Sequence, residues 1–122
     1  MKYVLVIVGG GAGSLLRYMA GSAIMARLGA RFPWGTMAIN VTGCFLIGFL
    51  MTVFTERFPP GTNWRPLLVI GFLGGYTTFS SFEWETFAAA RDGSPWMGLA
   101  NVIGSVALGY AAVWLGAALG RR

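Results

Sequence analysis

Two stretches of this chain, Trp34 to Thr55 and Gly93 to Gly120, run for 22 and 28 residues without an Asp, Glu, Lys or Arg. Wound as a helix, each exceeds the ~20 apolar residues needed to cross the hydrocarbon core of a bilayer. Composition carries the same message. Soluble domains hold about 25% charged residues, whereas 11% of these 122 residues are charged and 56% are hydrophobic. Such a chain cannot cover its own surface in water, so it belongs in a membrane.

What is missing closes off most enzyme chemistry. The chain has no His and a single Cys, Cys44, set inside an apolar run. That excludes a Cys/His metal cluster, a Ser-His-Asp triad and an intrachain disulfide. The net charge of +5 would elsewhere suggest nucleic acid. Here the Lys and Arg residues fall mostly at the ends of hydrophobic spans, where they anchor helices at the lipid interface, so no nucleic-acid partner is expected.

Hydrophobic patterning predicts one domain over residues 1–122, an all-α membrane protein with four transmembrane helices at about 3–26, 34–54, 66–90 and 95–119. The connections carry turn and interface residues: Arg27, Arg31 and Pro33, then Glu56, Arg57, Pro59, Pro60, Gly61 and Arg65, then Arg91, Asp92, Gly93 and Pro95. Lys2 ahead of an apolar run resembles the start of a secretory signal peptide. The run is interrupted by Arg17 and no polar domain follows it, so a retained first helix is the better reading.

With four spans, Lys2, Arg57, Arg65, Arg121 and Arg122 share one side and Arg27, Arg31 and Arg91 the other. Orientation normally follows a clear Lys/Arg asymmetry, and five against three is a weak one. A near balance permits both orientations, and with them a two-fold axis in the membrane plane relating antiparallel subunits. The plainer alternative is a single orientation with the termini inside. Glycine is abundant, 19 in all. The pairs Gly9/Gly13, Gly71/Gly75 and Gly116/Gly120 have the small-xxx-small spacing that lets backbones approach. Four helices of this size cannot enclose a wide pore, so a transport path must be narrow or lie between subunits.

The strongest local signal is Gly71-Phe72-Leu73-Gly74-Gly75-Tyr76-Thr77-Thr78-Phe79-Ser80-Ser81-Phe82 in the third helix. Paired glycines followed by two β-branched residues weaken a helix by backbone entropy and by restricted side chains. Unwound backbone is expected there. At membrane depth it survives only when buried in protein or lining an aqueous or ionic site, and the carbonyls of broken helices are recurrent Na⁺ ligands. A kinked helix whose Thr hydroxyls bond back to their own carbonyls is the other reading.

Phe79 and Phe82, at i and i+3, share a helical face. They are either lipid-facing surface or, with the Ser80 and Ser81 hydroxyls beside them, an anion-lining edge, since aromatic rings present a positive rim. Asn40, central in the second helix, and Asn101 with Ser105 on the fourth at i and i+4, are each either interhelical glue or part of a polar pathway. Arg17 lies roughly 21 Å along its helix from Tyr3 at 1.5 Å per residue. It reads either as a snorkelling interface anchor or as a positive vestibule that concentrates anions.

Taken together, Gly13 to Tyr18 with its Arg17-Tyr18 pair, Gly35-Thr36 followed by Asn40 and Gly43, and above all Gly71 to Phe82 resemble the Fluc family of fluoride channels, also called CrcB. The likeness covers nearly the whole chain. It implies a dual-topology antiparallel homodimer of four-helix subunits in the inner (plasma) membrane, with two narrow fluoride pores and a structural Na⁺ at the dimer centre. The family's cation-binding main-chain carbonyls match Gly74 and Thr77, and its pore-lining phenylalanines and second-helix Asn match Phe79, Phe82 and Asn40. Ser80-Ser81 stands where the family usually has Ser-Thr. Ser105 aligns with a pore-side hydroxyl stripe, while Asn101 and Gly109 stand where relatives often carry Tyr or Ser. Glu85 resembles an acidic residue near the pore mouth, and Glu83 is an extra carboxylate.

On that resemblance the expected function is passive, fluoride-selective conduction that exports fluoride and confers resistance to it. Donors from Asn40, Ser80, Ser81 and Ser105, with ring edges from Phe79 and Phe82, replace lost water, and tight geometry gives selectivity. Two other readings compete. A small antiparallel multidrug or cation exporter needs a deeply buried titratable carboxylate, which the first two spans lack. A non-transporting small subunit of a membrane complex predicts that Asn40, Phe79 and Phe82 are dispensable for ion flux.

Overall fold

A computed structural model describes residues 1–58 and 61–122; Pro59 and Pro60, placed by sequence in the central loop, lie outside the described residues. Among the described residues, three helices are long and apolar enough to cross a membrane: α1 (Lys2–Leu28), α2 (Trp34–Arg57) and the last helix, Pro95–Gly120. Between α2 and that last helix lie a π-helical stretch (Arg65–Leu73), a single turn α3 (Gly74–Tyr76), α4 (Ser80–Ala88) and a second π-helical stretch (Ala89–Gly93). The last helix is then α5. No strand occurs among the described residues.

Local chemistry accounts for the boundaries. Gly29 ends α1 at φ 84°, a conformation that costs glycine nothing for want of a Cβ, and its N–H closes on the Met25 carbonyl at 2.8 Å. Pro66 and Pro95 sit in the first turns of their helices, where a missing N–H leaves no bond unmade. The nine residues of π winding at Arg65–Leu73 were not legible in the sequence. A π turn holds about one residue more than an α turn and is rare in long runs, so composition and periodicity favour the α form by default.

Glycine brings the helices together in two close pairs. A Cβ on Gly9 would strike the Leu67 carbonyl, one on Gly13 the Phe72 carbonyl, and one on Gly75 the Gly10 carbonyl. The α1 pair and the third-segment pair expected from their spacing therefore face one another, backbone against backbone. On the opposite side a Cβ on Gly116 would strike the Phe45 carbonyl, and one on Gly48 the Val113 carbonyl, so α2 and α5 pack just as closely. Between the two pairs a small core forms around Ile39, Leu73 and Tyr76. Much of the remaining apolar surface faces outward, including Tyr3, Ile7, Tyr18, Trp96, Tyr110 and Trp114. That is the expected distribution for a chain solvated by lipid, where association rests on tight packing rather than on expulsion of water.

Replacing Gly13 with Val should therefore destabilise the fold by about 1–3 kcal/mol or more, because a rigid neighbouring backbone cannot yield to the added volume. Gly11→Ala, where an added Cβ meets nothing within 4 Å, should leave the unfolding temperature unchanged or slightly raised. Thermal unfolding in detergent micelles reads both. Equal sensitivity at the two positions would refute the close-packing account.

Candidate ion site

Backbone geometry organises the region after Tyr76. Thr77 is extended (φ −84°, ψ 159°), and regular winding resumes only at Ser80. Its N–H and hydroxyl both donate to the Leu73 carbonyl, at 3.0 and 2.9 Å, closing the preceding turn. That back-bond is what a kinked helix would show, yet here the residue that makes it is itself extended.

Thr78 is where the helical pattern is replaced. Its N–H donates to Asn40 Oδ1 and its carbonyl accepts from Asn40 Nδ2, both at 2.9 Å. The two partners dictate the orientation of the amide, since a backbone N–H can only donate and a C=O only accept. One amide thus substitutes for a full step of helical bonding. Gly43, one turn along α2, makes room for the departure, because a Cβ there would collide with the Thr77 side-chain methyl. The Ser81 N–H donates to Thr78 Oγ1 at 3.3 Å. The N–H groups four residues beyond Gly74 and Thr77 are therefore both engaged by side chains rather than by those two carbonyls.

The segment borders an open groove of about 740 Å³ between α2, the third segment and α5. Asn40, Gly74, Thr77, Phe79, Phe82 and Ser105 all line it. The Phe79 and Phe82 rings lie 6.0 Å apart, tilted by 42°. Phe79 stands 73% exposed, whereas Phe82 is packed at 7%. Ser80 and Ser81 are exposed outside the lining, and Arg17 sits half-buried on α1, also away from it. Glu83 is exposed. Glu85 is half-buried beside a second cavity of about 360 Å³ that Arg31 and Asp92 also line, and its Oε2 has no hydrogen-bond partner among the described residues.

A family model described as "CrcB-like protein, Camphor Resistance (CrcB)" matches residues 4–117. The chain belongs to the CrcB family. Among its relatives, the fluoride-specific ion channel FluC of Solibacter usitatus is 67% identical over 122 residues, with all of both chains covered. That of Acidobacterium capsulatum is 50% identical over all of this chain and 98% of its own. The Rhizobium meliloti protein of the same name is 44% identical over 99% of this chain and 98% of its own.

In this CrcB chain several side-chain contacts were not legible from spacing. Tyr76 reaches across to Thr42, hydroxyl to hydroxyl at 2.9 Å, while the Thr42 hydroxyl also lies 2.7 Å from the Ala38 carbonyl; the carbonyl takes the Thr42 proton, so Tyr76 is the donor. Thr86 links α4 to Asn101 on α5 at 2.8 Å, and only the Asn101/Ser105 spacing hinted at a partner. At the end of the third segment the Arg91 guanidinium grips Asp92 at 2.7 and 2.9 Å. It also lies 5.2 Å from the Phe87 ring centre and 5.9 Å from that of Trp84. The hydrogen bond from Arg91 holds the Asp92 carboxyl below its ordinary range. Both groups are exposed, so the pair adds little to stability.

Asn40→Leu should leave the Thr78 N–H and C=O without partners, at about 1–3 kcal/mol for each group that stays buried. The expected readout is a lowered unfolding temperature together with faster amide exchange at Thr78. Protection at Thr78 that survives the substitution would show that the extended segment does not depend on Asn40.

Proposed function

We propose that this chain conducts fluoride passively across the inner membrane, as an antiparallel dual-topology homodimer whose remaining crossing is the interrupted run over residues 66–90. The observation that carries the reading is the convergence of Asn40, Phe79, Phe82 and Ser105 on one groove, in a chain two-thirds identical along its full length to a relative named as a fluoride-specific channel. The groove's open side gives a second copy a surface to complete, and the five-against-three distribution of interfacial Lys and Arg leaves both insertions accessible.

Fluoride is small and strongly hydrated, so its passage depends on donors that replace water. Asn40 keeps one amide N–H beyond the one bonded to Thr78, and Ser105 adds a hydroxyl. The positive rims of Phe79 and Phe82 complete an apolar, size-limited rim. Ser80 and Ser81, exposed on the first turn after the break, serve at the approach to the groove, and Arg17 at a vestibule. No coupling step is needed, because a membrane negative inside drives an anion outward by ~2.3 kcal/mol per charge per 100 mV.

A Na⁺ at the dimer centre fits the residues present. Gly74 and Thr77 both line the groove, and the N–H groups that would hold their carbonyls in a continuous helix are diverted to Asn40 and Thr78. Two hard oxygens from each subunit would form a donor set suited to a hard cation, which would supply fixed positive charge there.

Purified protein in liposomes tests the proposal through an ion-selective electrode. Fluoride should leave rapidly while chloride is retained, and substitution of Phe79, Phe82 or Asn40 should lower fluoride efflux at least tenfold, a rise of about 1.4 kcal/mol in the barrier. Chloride moving as fast as fluoride, or flux indifferent to all three substitutions, would sink the reading. Prolonged replacement of Na⁺ by a large organic cation should abolish the flux, and persistence of flux would remove the cation from the scheme.

A further inference from the structure

Asn101 is the most deeply buried polar side chain among the described residues, at 1% exposure, and it does not reach the groove that its neighbour Ser105 lines. Its amide is nonetheless fully directed. Thr86 Oγ1 donates to the Phe82 carbonyl at 2.7 Å, and a carbonyl can only accept. The Thr86 oxygen must therefore receive the bond from Asn101 Nδ2 at 2.8 Å. Asn101 Oδ1 then faces the Ser105 hydroxyl, which donates to it at 3.3 Å. The result is a polar relay with one sense throughout, from the Ser105 hydroxyl to Asn101, and from the Asn101 amide through Thr86 to the Phe82 backbone.

Both ends of the relay are residues of the groove. Helix-to-helix adhesion does not by itself call for this arrangement, because α5 already meets α4 and the turn beyond it at Gly98, where an added Cβ would press on Ala90 and on the Thr86 carbonyl. We propose that Asn101 is a positioning residue for conduction, holding Phe82 in its packed pose and aiming the Ser105 hydroxyl through this relay without touching the ion. The inference rests on the reading of Phe82 and Ser105 as part of the fluoride route.

The relay also explains how Ser105 becomes available. Its bond to Asn101 is long for O–H···O, which is usually 2.5–3.0 Å. An anion in the groove therefore competes for that proton by rotating one hydroxyl, while the Asn101–Thr86–Phe82 arm stays in place. Asn101→Asp would break the sense of the relay, because an ionised carboxylate accepts from both sides and draws the Thr86 proton off the Phe82 carbonyl.

The test is fluoride and chloride efflux from liposomes, normalised to folded, monodisperse protein, for Asn101→Leu, Asn101→Asp, Thr86→Val, Thr86→Ser and the Asn101→Leu/Thr86→Val double variant, with Phe82→Ile as reference. Asn101→Leu, Asn101→Asp and Thr86→Val should each lower fluoride efflux by about tenfold and narrow its margin over chloride. Thr86→Ser, which keeps the hydroxyl, should stay within about twofold of the parent. The double variant should fall no further than the worse single one, as members of one network are non-additive. Undiminished flux and selectivity in Thr86→Val, equal losses in Thr86→Val and Thr86→Ser, or multiplicative losses in the double variant would overturn the proposal. Thr86→Val against Thr86→Ser decides it alone if Asn101→Leu fails to fold. Should Phe82→Ile change flux while Asn101→Leu and Thr86→Val do not, the positioning role fails and the route stands; indifference at Phe82 as well removes Phe82 from the route and overturns the positioning role with it.

Discussion

In a bilayer, a residue that leaves the helix must find new partners for its N–H and its C=O, because no water is there to take them. Asn40 supplies both for Thr78, and the rest of the site follows from that pair of bonds. They hold the chain extended between the Tyr76 turn and α4, and they turn Phe79 toward the groove while Phe82 packs inside. They also divert the N–H that a continuous helix would return to Gly74. An Asn in a transmembrane helix is often glue between helices. Here it adheres to backbone rather than to another side chain, and so it shapes the chain as well as joining it.

Close packing makes that arrangement possible. The interrupted segment is weak as a helix, and it is held on one side by α1, whose Gly9 and Gly13 seat directly on its backbone. On the other side Gly43 of α2 receives the Thr77 methyl. The second tight pair, α2 with α5, positions the wall carrying Ser105. The irregular segment thus lies between α1, on which it is seamed by glycine, and the equally close α2–α5 pair. Mobility of that segment is limited by its neighbours, since its own winding offers little resistance.

Polar groups are few, and most of the buried ones are joined. Tyr76 with Thr42, Asn40 with Thr78, and Asn101 with Thr86 and Ser105 each tie two elements at membrane depth. Glu85 stands apart, with one oxygen lacking a partner among the described residues beside the cavity shared with Arg31 and Asp92. The cationic ends of the helices, by contrast, are exposed and lightly paired, as befits side chains that reach the interface by their aliphatic stems.

Composition by itself determined that the chain lies in a membrane, because long uncharged runs have no other stable solvent, and it placed α1, α2 and α5 close to where they stand. Glycine pairs and β-branched residues carry their penalty locally and pointed to unwound backbone from Gly74 to Thr78, but Gly74–Tyr76 keeps a helical turn and the extended backbone begins only at Thr77. Of the motif from Gly71 to Phe82 that carries the family likeness, the marked residues Gly74, Thr77, Phe79 and Phe82 line the groove. Only the tertiary structure decided what Asn40 bonds to, that Ser80 and Ser81 lie outside the lining, that the stretch before the weak point winds as a π-helix, and that Asn101 connects Ser105 to Phe82 through Thr86. Those outcomes depend on which backbone lies opposite which side chain across a helix contact. Residues 38 positions apart, such as Asn40 and Thr78, meet through packing, and spacing along one helix cannot encode the meeting.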